Sequence, residues 1–327
     1  MIGDLLYAGI LLAVVLLFVM LAVLAERKVI GWIQLRHGPN RVGPWGMLQT
    51  MADVGKLFCK EDIRPAQVDP RLFRWAPILA FLPSFAGLVV VPFMPQGMNV
   101  NLSAGLLYGV AWSSITTLAI IVAGWSSNNK YALIGAMRAA AQMISYEVPL
   151  LLALAGVALG AGSLQLDEIV RAQSYVWFLL PQVVGFAVFC VSLLAELHRT
   201  PFDFPEAESE LVAGYHVEYS GFRFALFMLT EYVYVFSMAA LATVLYLGGW
   251  DSPFGVGILP PALWFGLKMS SILFVIFWVR ATWPRLRVDS LLPLAWKVLV
   301  PLALLNLLWV AVAKEIPVLR SFYGAGQ

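Results

Sequence analysis

The chain of 327 residues has few charged side chains and almost no cysteine. Charged residues make up 12% and hydrophobic residues 61%, whereas ordinary soluble domains have roughly 25% and 45–50%. This composition excludes intrinsic disorder and argues against a soluble enzyme. The two cysteines, Cys59 and Cys190, are too few for a four-thiolate iron–sulfur site or a disulfide framework. We therefore expect any redox centre of the system to lie in another polypeptide.

Motifs for nucleotides, metals and haem are also missing from the sequence. No Gly-x-Gly-x-x-Gly follows a strand pattern, and there is no phosphate loop. The histidines fall in or beside the connections between apolar stretches, so no predicted span offers a ligand for haem. We expect no metal site, and no complete active site in this chain alone. The three histidines are His37, His198 and His216.

Eight apolar stretches are long enough, at about 20 residues each, to cross a membrane as helices. The sequence therefore predicts an all-α, polytopic membrane protein with a single membrane domain over residues 1–327. The predicted spans lie near residues 5–25, 75–93, 102–124, 131–159, 175–195, 224–247, 263–279 and 291–313.

Basic residues mark one side of the predicted bundle. Seventeen of the 21 lysines and arginines fall in or beside the first, third, fifth and seventh connections. Since cytoplasmic connections carry the excess of basic residues, we expect both termini on the periplasmic side. The first span lacks a basic n-region and a small-residue cleavage site, so we interpret it as a retained helix. The absence of a transit segment favours a bacterial plasma membrane.

Residues 45–60 have the pattern of an amphipathic helix. Apolar and polar side chains recur at steps of three or four residues on two different faces, as in a helix that lies along the membrane surface. The helix can be a simple interfacial anchor, or it can frame the mouth of a cavity open to lipid. The apolar face has Met47, Met51, Val54 and Phe58, and the polar face has Gln49, Asp53, Lys56 and Lys60.

The connection at residues 196–222 is acidic and contains three alternating carboxylates. Crowded carboxylates disfavour one another's ionised form, which raises at least one pKa if water is partly excluded. The loop can instead be a solvated segment whose acids pair with Arg199 and Arg223. Nearby aromatic side chains favour partial burial, since a solvated loop would not need them. The acids are Glu206, Glu208 and Glu210, and the aromatic residues are Phe202, Phe204 and Tyr215.

Three charged residues fall inside predicted spans: Glu147, Glu231 and Lys268. A charge at the bilayer centre costs about 2.5–3.5 kcal/mol on insertion scales, so such residues face the bundle interior or a hydrated cavity. A structural ion pair between Glu231 and Lys268 is one interpretation. Alternatively, the two glutamates and the acidic loop form a series of titratable groups from the inner surface to mid-membrane. Such a series is what a proton path requires.

Several long stretches of the chain are similar to one known family. Over nearly its whole length the sequence resembles the family of the H subunit, or subunit 1, of respiratory complex I, the proton-pumping NADH:quinone oxidoreductase. The resemblance implies an eight-helix membrane subunit that shapes the quinone chamber and couples quinone reduction to proton movement. The matching stretches are residues 26–44, beginning Glu26-Arg27-Lys28, then 52–62, 124–131, Ser145-Tyr146-Glu147 and 201–220.

The resemblance also implies roles for individual residues. Quinone is the substrate, and the residues that would bind it, around the chamber and its entrance, are Arg27, Arg36, Asp53 and Lys56. Iron–sulfur clusters and FMN are expected only in partner subunits, which include the hydrophilic arm and small membrane subunits that lead to antiporter-like subunits. No nucleic acid partner is expected. A set of acids would link the chamber to the antiporter-like subunits: Glu147, Asp203, Glu206, Glu208, Glu210, Glu218 and Glu231.

One motif departs from the family pattern. Near the last cytoplasmic connection the family often reads Pro-Arg-x-Arg-Tyr-Asp-Gln, whereas residues 284–290 have Val and Ser in place of the Tyr and Gln. Hydrogen bonds from that hydroxyl and that amide are therefore in doubt. The motif keeps its charged residues, Arg285, Arg287 and Asp289. We expect these residues, together with Lys268, to support the site.

Two rival functions are open at this point. The membrane anchor of an energy-converting hydrogenase is related and has an acidic loop, but it needs no quinone. The match to the complex I family through residues 26–44 and the amphipathic helix argues against the hydrogenase anchor. A stand-alone secondary transporter would show inverted repeats, and we find no convincing internal repeat.

Overall fold

The computed structural model describes residues 2–95, 100–205, 208–252, 259–316 and 321–323, with only the backbone at 2–6, 208–209 and 321. The described residues form helices and turns without a strand, which confirms the predicted all-α class. Their α-helices, in chain order, are α1 (Ile2–Ile33), α2 (Gln49–Cys59), α3 (Pro70–Ala86), α4 (Gly105–Ser126), α5 (Lys130–Ala161), α6 (Leu166–Ala172), α7 (Val183–Glu196), α8 (Glu208–Leu211), α9 (Gly221–Tyr246), α10 (Pro261–Thr282), α11 (Val288–Pro293) and α12 (Val300–Glu315).

Seven helical stretches in the described part of the chain are long and apolar enough to cross a membrane. Six of them are α1, α3, α4, α5, α9 and α10, and the seventh is the run Val288–Glu315, in which a π-helical turn joins α11 to α12. Helices satisfy their own backbone hydrogen bonds, which hydrocarbon requires. The chain is therefore a multi-pass membrane protein.

The fifth predicted span, residues 175–195, differs from the structure. Only Val183–Glu196 is a regular α-helix there, and its 14 residues would extend about 21 Å, short of a hydrocarbon core of roughly 30 Å. Turns precede it, because Pro181 disfavours helical backbone at the residue before it. The Gln173 side chain also accepts a hydrogen bond from the Phe178 N–H at 3.2 Å. The predicted span is thus a short helix after a turn-rich segment.

Two helices organise the bundle. The helix α5 packs against α4, α7 and α12, and α9 packs against α1, α3 and α10. Small residues allow the closest of these approaches, since a Cβ at Gly124 of α4 would collide with the Cβ of Ala136 in α5. Small residues at helix contacts are typical of membrane bundles, where van der Waals packing holds the helices together.

The helix predicted at residues 45–60 begins later than expected. The helix α2 covers Gln49–Cys59, because Trp45 has a φ of 57°, outside the helical region. Much of its apolar face is uncovered by the described part of the chain, with Met51 54% and Phe58 64% exposed.

The acidic connection, residues 196–222, folds back onto the bundle. The aromatic side chains of Phe202, Phe204 and Tyr215 are buried. Gln142 of α5 donates hydrogen bonds to the carbonyls of Ala195 and Phe202 at 2.7 and 2.9 Å, which fixes the start of the loop. Glu206 and the side chain of Glu208 lie outside the described residues.

Candidate functional site

A buried carboxylate, Glu26, joins four parts of the fold. It is 4% exposed and forms ion pairs with Arg280 of α10 and, at 3.5 Å, with Arg199, which follows α7. The Tyr232 hydroxyl of α9 donates to it at 3.1 Å, and the Arg199 guanidinium lies 4.9 Å from the centre of the Tyr232 ring. We call these four residues the Glu26 cluster. A buried charge is tolerated only with such partners.

A second group of polar residues surrounds a small cavity beside α9. The cavity has a volume of about 30 Å³, and Glu196, Glu231, Tyr215 and Tyr234 are among the residues that line it. The Tyr234 hydroxyl donates to Glu196 at 3.2 Å, and the Tyr215 hydroxyl donates to Glu231 at 3.3 Å. We call this space the acid cavity. Its volume is enough for about two water molecules.

Glu147 lies on α5, close to the acid cavity. It is half-buried and accepts a hydrogen bond from the Ser114 hydroxyl of α4. It also interacts electrostatically with Glu196. The structure therefore brings two of the acids selected from the sequence, Glu147 and Glu231, into the neighbourhood of a third, Glu196.

The other acids of the predicted series have separate environments. Glu210 of α8 pairs with Arg138 at 2.6 Å and lies 4.0 Å from Arg285. The hydrogen bond from Arg138 holds the pKa of Glu210 below its ordinary value. Glu218 accepts from the Asn129 amide at 2.6 Å, and Asp203 is half-buried. Pairing with arginine therefore governs the charge of Glu210, but the partners are Arg138 and Arg285. The predicted partners pair elsewhere, Arg199 with Glu26 and Arg223 with Asp62.

The predicted entrance residues lie along α1, the loop after it, and α2. Arg27 pairs with Asp53 at 2.6 Å, and Gln49 donates to the same carboxylate at 3.2 Å. Burial raises the pKa of Asp53, but these hydrogen bonds and the charges of Arg27 and Lys56 outweigh it, so the pKa is lowered. Arg36 is exposed and donates to the Gln34 side chain at 2.8 Å. Arg27, Asp53 and Lys56 thus form one group, and Arg36 has a different contact.

Lys268 does not form the ion pair with Glu231 that one interpretation of the sequence predicts. Its ammonium group donates to the carbonyls of Leu247, Gly249 and Asp251 at 2.6, 3.1 and 2.6 Å. Leu247 follows the C-terminal end of α9, and its separation of 16 positions from Glu231 corresponds to about 24 Å in a helix. Lys268 therefore caps the end of α9, where a cation is favoured by the helix dipole.

Residues 284–290, the motif that differs from the family pattern, contain charged side chains of different exposure. Arg285 is half-buried with its guanidinium 5.2 Å from the centre of the Phe204 ring. Arg287 and Asp289 are exposed. The position of the missing Tyr, Val288, is also exposed.

Sequence reasoning missed most of the Glu26 cluster and the Glu196–Tyr234 pair. Glu26 and Glu196 lie at the ends of apolar stretches, where a charge is ordinarily taken as flanking the membrane. A signal was available for Glu26, because an amphipathic segment follows closely and would cover that end of the span. Among the described residues, no group of three or more His, Cys, Asp or Glu side chains could hold a metal ion.

Comparisons with known proteins agree with the resemblance. A family model described as NADH dehydrogenase matches residues 6–311. The H subunit of NADH-quinone oxidoreductase from Brevibacillus brevis is 60% identical over 307 residues, 93% of this chain and 91% of the relative. The proteins of the same description from Geobacillus sp. and Bacillus thuringiensis subsp. konkukian are 56% and 55% identical, over 94% of this chain and 92% and 93% of theirs. The chain therefore belongs to the NADH dehydrogenase family, the family of the membrane-embedded H subunits of NADH-quinone oxidoreductase.

Proposed function

We propose that the chain forms part of a quinone chamber at the junction with the hydrophilic arm of complex I and couples quinone reduction to proton translocation. One observation carries this proposal: residues 231–234 of α9 contact both the Glu26 cluster and the acid cavity. Tyr232 bonds to Glu26, whereas Glu231 and Tyr234 line the acid cavity. A change of charge at the Glu26 cluster therefore acts over a short distance on the carboxylates of the acid cavity, Glu196 and Glu231.

The entrance for quinone is assigned to α1 and α2. The exposed apolar face of α2, with Met51 and Phe58, suits contact with lipid and with an isoprenoid tail. The Arg27–Asp53 pair, with Lys56 beside it and Arg36 in the preceding loop, supplies polar groups for a quinone head group. Hydrophobic lining with a few placed polar groups is usual for such sites.

The chain supplies charges and proton carriers to this function. Electrons would come from iron–sulfur clusters and FMN in partner subunits of the hydrophilic arm. Reduction of quinone changes the charge or protonation at the chamber, and this change alters the proton affinity of Glu231, Glu196 and Glu147 in turn. Moving one charge against 100 mV costs about 2.3 kcal/mol. Small membrane subunits would carry the change on to antiporter-like subunits.

The orientation follows the distribution of basic residues. With the positively charged connections on the cytoplasmic side, both termini lie in the periplasm and the chain spans a bacterial plasma membrane. No observation favours the hydrogenase anchor or the secondary transporter.

Glu147→Gln in the intact complex tests the coupling role. We expect both quinone reductase activity and proton pumping in proteoliposomes to fall by about tenfold or more, since positioned acid and base groups contribute roughly 10²–10⁴-fold. Glu315→Gln, which changes an exposed carboxylate at the end of α12, is the matched control and should leave both rates unchanged. Full pumping by Glu147→Gln would contradict the proposed coupling.

A further inference from the structure

Tyr234 of α9 lies between two small cavities inside the bundle. One is the acid cavity, and the other also has a volume of about 30 Å³, room for about two water molecules. Tyr234 lines both cavities. We call the second space the serine cavity, because its polar side chains besides Tyr234 come from Ser84 of α3, Ser113 of α4 and Ser237 of α9.

The Tyr234 hydroxyl has a carboxylate partner, and the residue also lines a cavity with polar walls. The hydroxyl donates to Glu196 at 3.2 Å. Ser113, whose own hydroxyl donates to the Val110 carbonyl at 2.7 Å, lines the serine cavity together with Tyr234. The residue is only 7% exposed, so bulk solvent has little access to it. A phenol can donate one hydrogen bond and accept another at the same time. Tyr234 can therefore donate to Glu196 while its oxygen accepts a hydrogen bond from water in the serine cavity.

The serine side leads towards Glu147. Ser113 is followed on α4 by Ser114, whose hydroxyl bonds to Glu147. Consecutive residues of α4 thus line the serine cavity and bond to Glu147. We propose that Tyr234 is a proton-relay residue between the acid cavity, with Glu231 and Glu196, and the serine cavity, from which Ser113 and Ser114 lead to Glu147. The relay rests on the proposed function, because it matters only if protons move through this subunit.

The transfer leaves Tyr234 neutral before and after each event. The bond between the phenol oxygen and its hydrogen breaks as that proton passes to the Glu196 carboxylate. A new bond forms on the phenol oxygen with a proton that Glu147 releases and water in the serine cavity passes on, so that Glu147 becomes a carboxylate. One proton has then crossed the tyrosine, and rotation of the hydroxyl restores the starting arrangement. No electron moves, and the reverse sequence carries a proton the other way.

Tyr234→Phe removes the hydroxyl and keeps the ring that separates the cavities. In the purified complex in proteoliposomes, we expect coupled quinone reduction and pumping to fall by about tenfold or more, since acid and base groups contribute roughly 10²–10⁴-fold. The solvent deuterium isotope effect on the remaining rate should also change, which a purely structural hydrogen bond would not cause. Tyr146→Phe is the matched control, because the Tyr146 hydroxyl is buried and donates to the Leu291 carbonyl at 2.9 Å.

Ser113→Ala and Glu147→Gln, measured in parallel, decide the outcome. Reduced pumping in Tyr234→Phe and Ser113→Ala, with near-normal pumping in Tyr146→Phe, supports the relay. Normal pumping in Tyr234→Phe while Glu147→Gln fails overturns the relay and leaves the proposed function standing. Normal pumping in all of them overturns both. If Tyr234→Phe fails to assemble, the rate of Ser113→Ala decides, and an unchanged rate and isotope effect count against the relay.

Discussion

Glu26 and Arg27 are neighbours in the sequence, yet they belong to two different regions of the molecule. Glu26 is 4% exposed within its cluster, whereas the Arg27 side chain is 45% exposed beside Asp53 of α2. Consecutive side chains of an α-helix differ in direction by about 100°. Glu26 therefore points into the bundle, and Arg27 points towards α2. Adjacent charges of one motif therefore have different physical tasks.

The difference between the two regions is energetic as well as geometric. Removing one partner of a buried ion pair costs about 3–5 kcal/mol, because the other charge stays buried. An exposed pair contributes only about 0.2–1 kcal/mol. The Glu26 cluster should therefore determine stability and the relative positions of helices. The Arg27–Asp53 pair should act mainly on the quinone that enters beside it.

The largest effect is expected from Glu26→Gln. It leaves Arg199, whose side chain is 7% exposed, and Arg280 without their buried carboxylate. We expect a loss of about 3–5 kcal/mol in stability, seen as a clear decrease in the melting temperature of the purified complex. Arg27→Met, measured in the same way, is the control. Equal melting temperatures for the two variants would contradict the distinction between the regions.

A smaller effect is expected from Lys268→Met, which removes the cap of α9 and keeps the length of the side chain. The removal of Lys268 leaves neutral carbonyl groups and no unpaired buried charge, so the melting temperature should decrease by less than in Glu26→Gln. Quinone reductase activity per assembled complex should be preserved, because the contacts of Lys268 lie about 24 Å along α9 from Glu231. Loss of activity at unchanged stability would instead give Lys268 a direct functional role.

The smallest effect on stability is expected from Arg27→Met, about 0.2–1 kcal/mol, together with a higher KM for quinone. The pKa of Asp53 is lowered, so the pair is present above the carboxyl's ordinary value of 3.8 and is lost only as the pH falls through the lowered pKa. The change in KM should therefore be constant from pH 6 to 8. A KM effect that disappears within that range would show that another group controls the entrance.

Hydropathy was sufficient to predict the fold class and most of the helices, because lipid restricts spanning segments to apolar helices. At residues 175–195 the regular helix is shorter than predicted, because Pro181 and the bonds of the Gln173 side chain favour turns before it. Composition alone does not report such local bonds.

For the candidate site, charges inside spans were sufficient to select Glu147 and Glu231, since such charges are rare without a function. The partner of Lys268 depends on a turn brought close by the folding of α9 and α10, and the role of Glu26 depends on Arg199 and Arg280, which are distant in sequence. Neither contact produces a periodic sequence pattern from which it could be predicted.

Labelling of the intact complex with a photoreactive short-chain quinone tests the central proposal most directly. The label should attach to residues 26–59 or to residues near Tyr232 and Arg280, and a quinone-site inhibitor should prevent it. Inhibitor-sensitive label confined to other subunits would contradict the assignment of the quinone chamber to this chain.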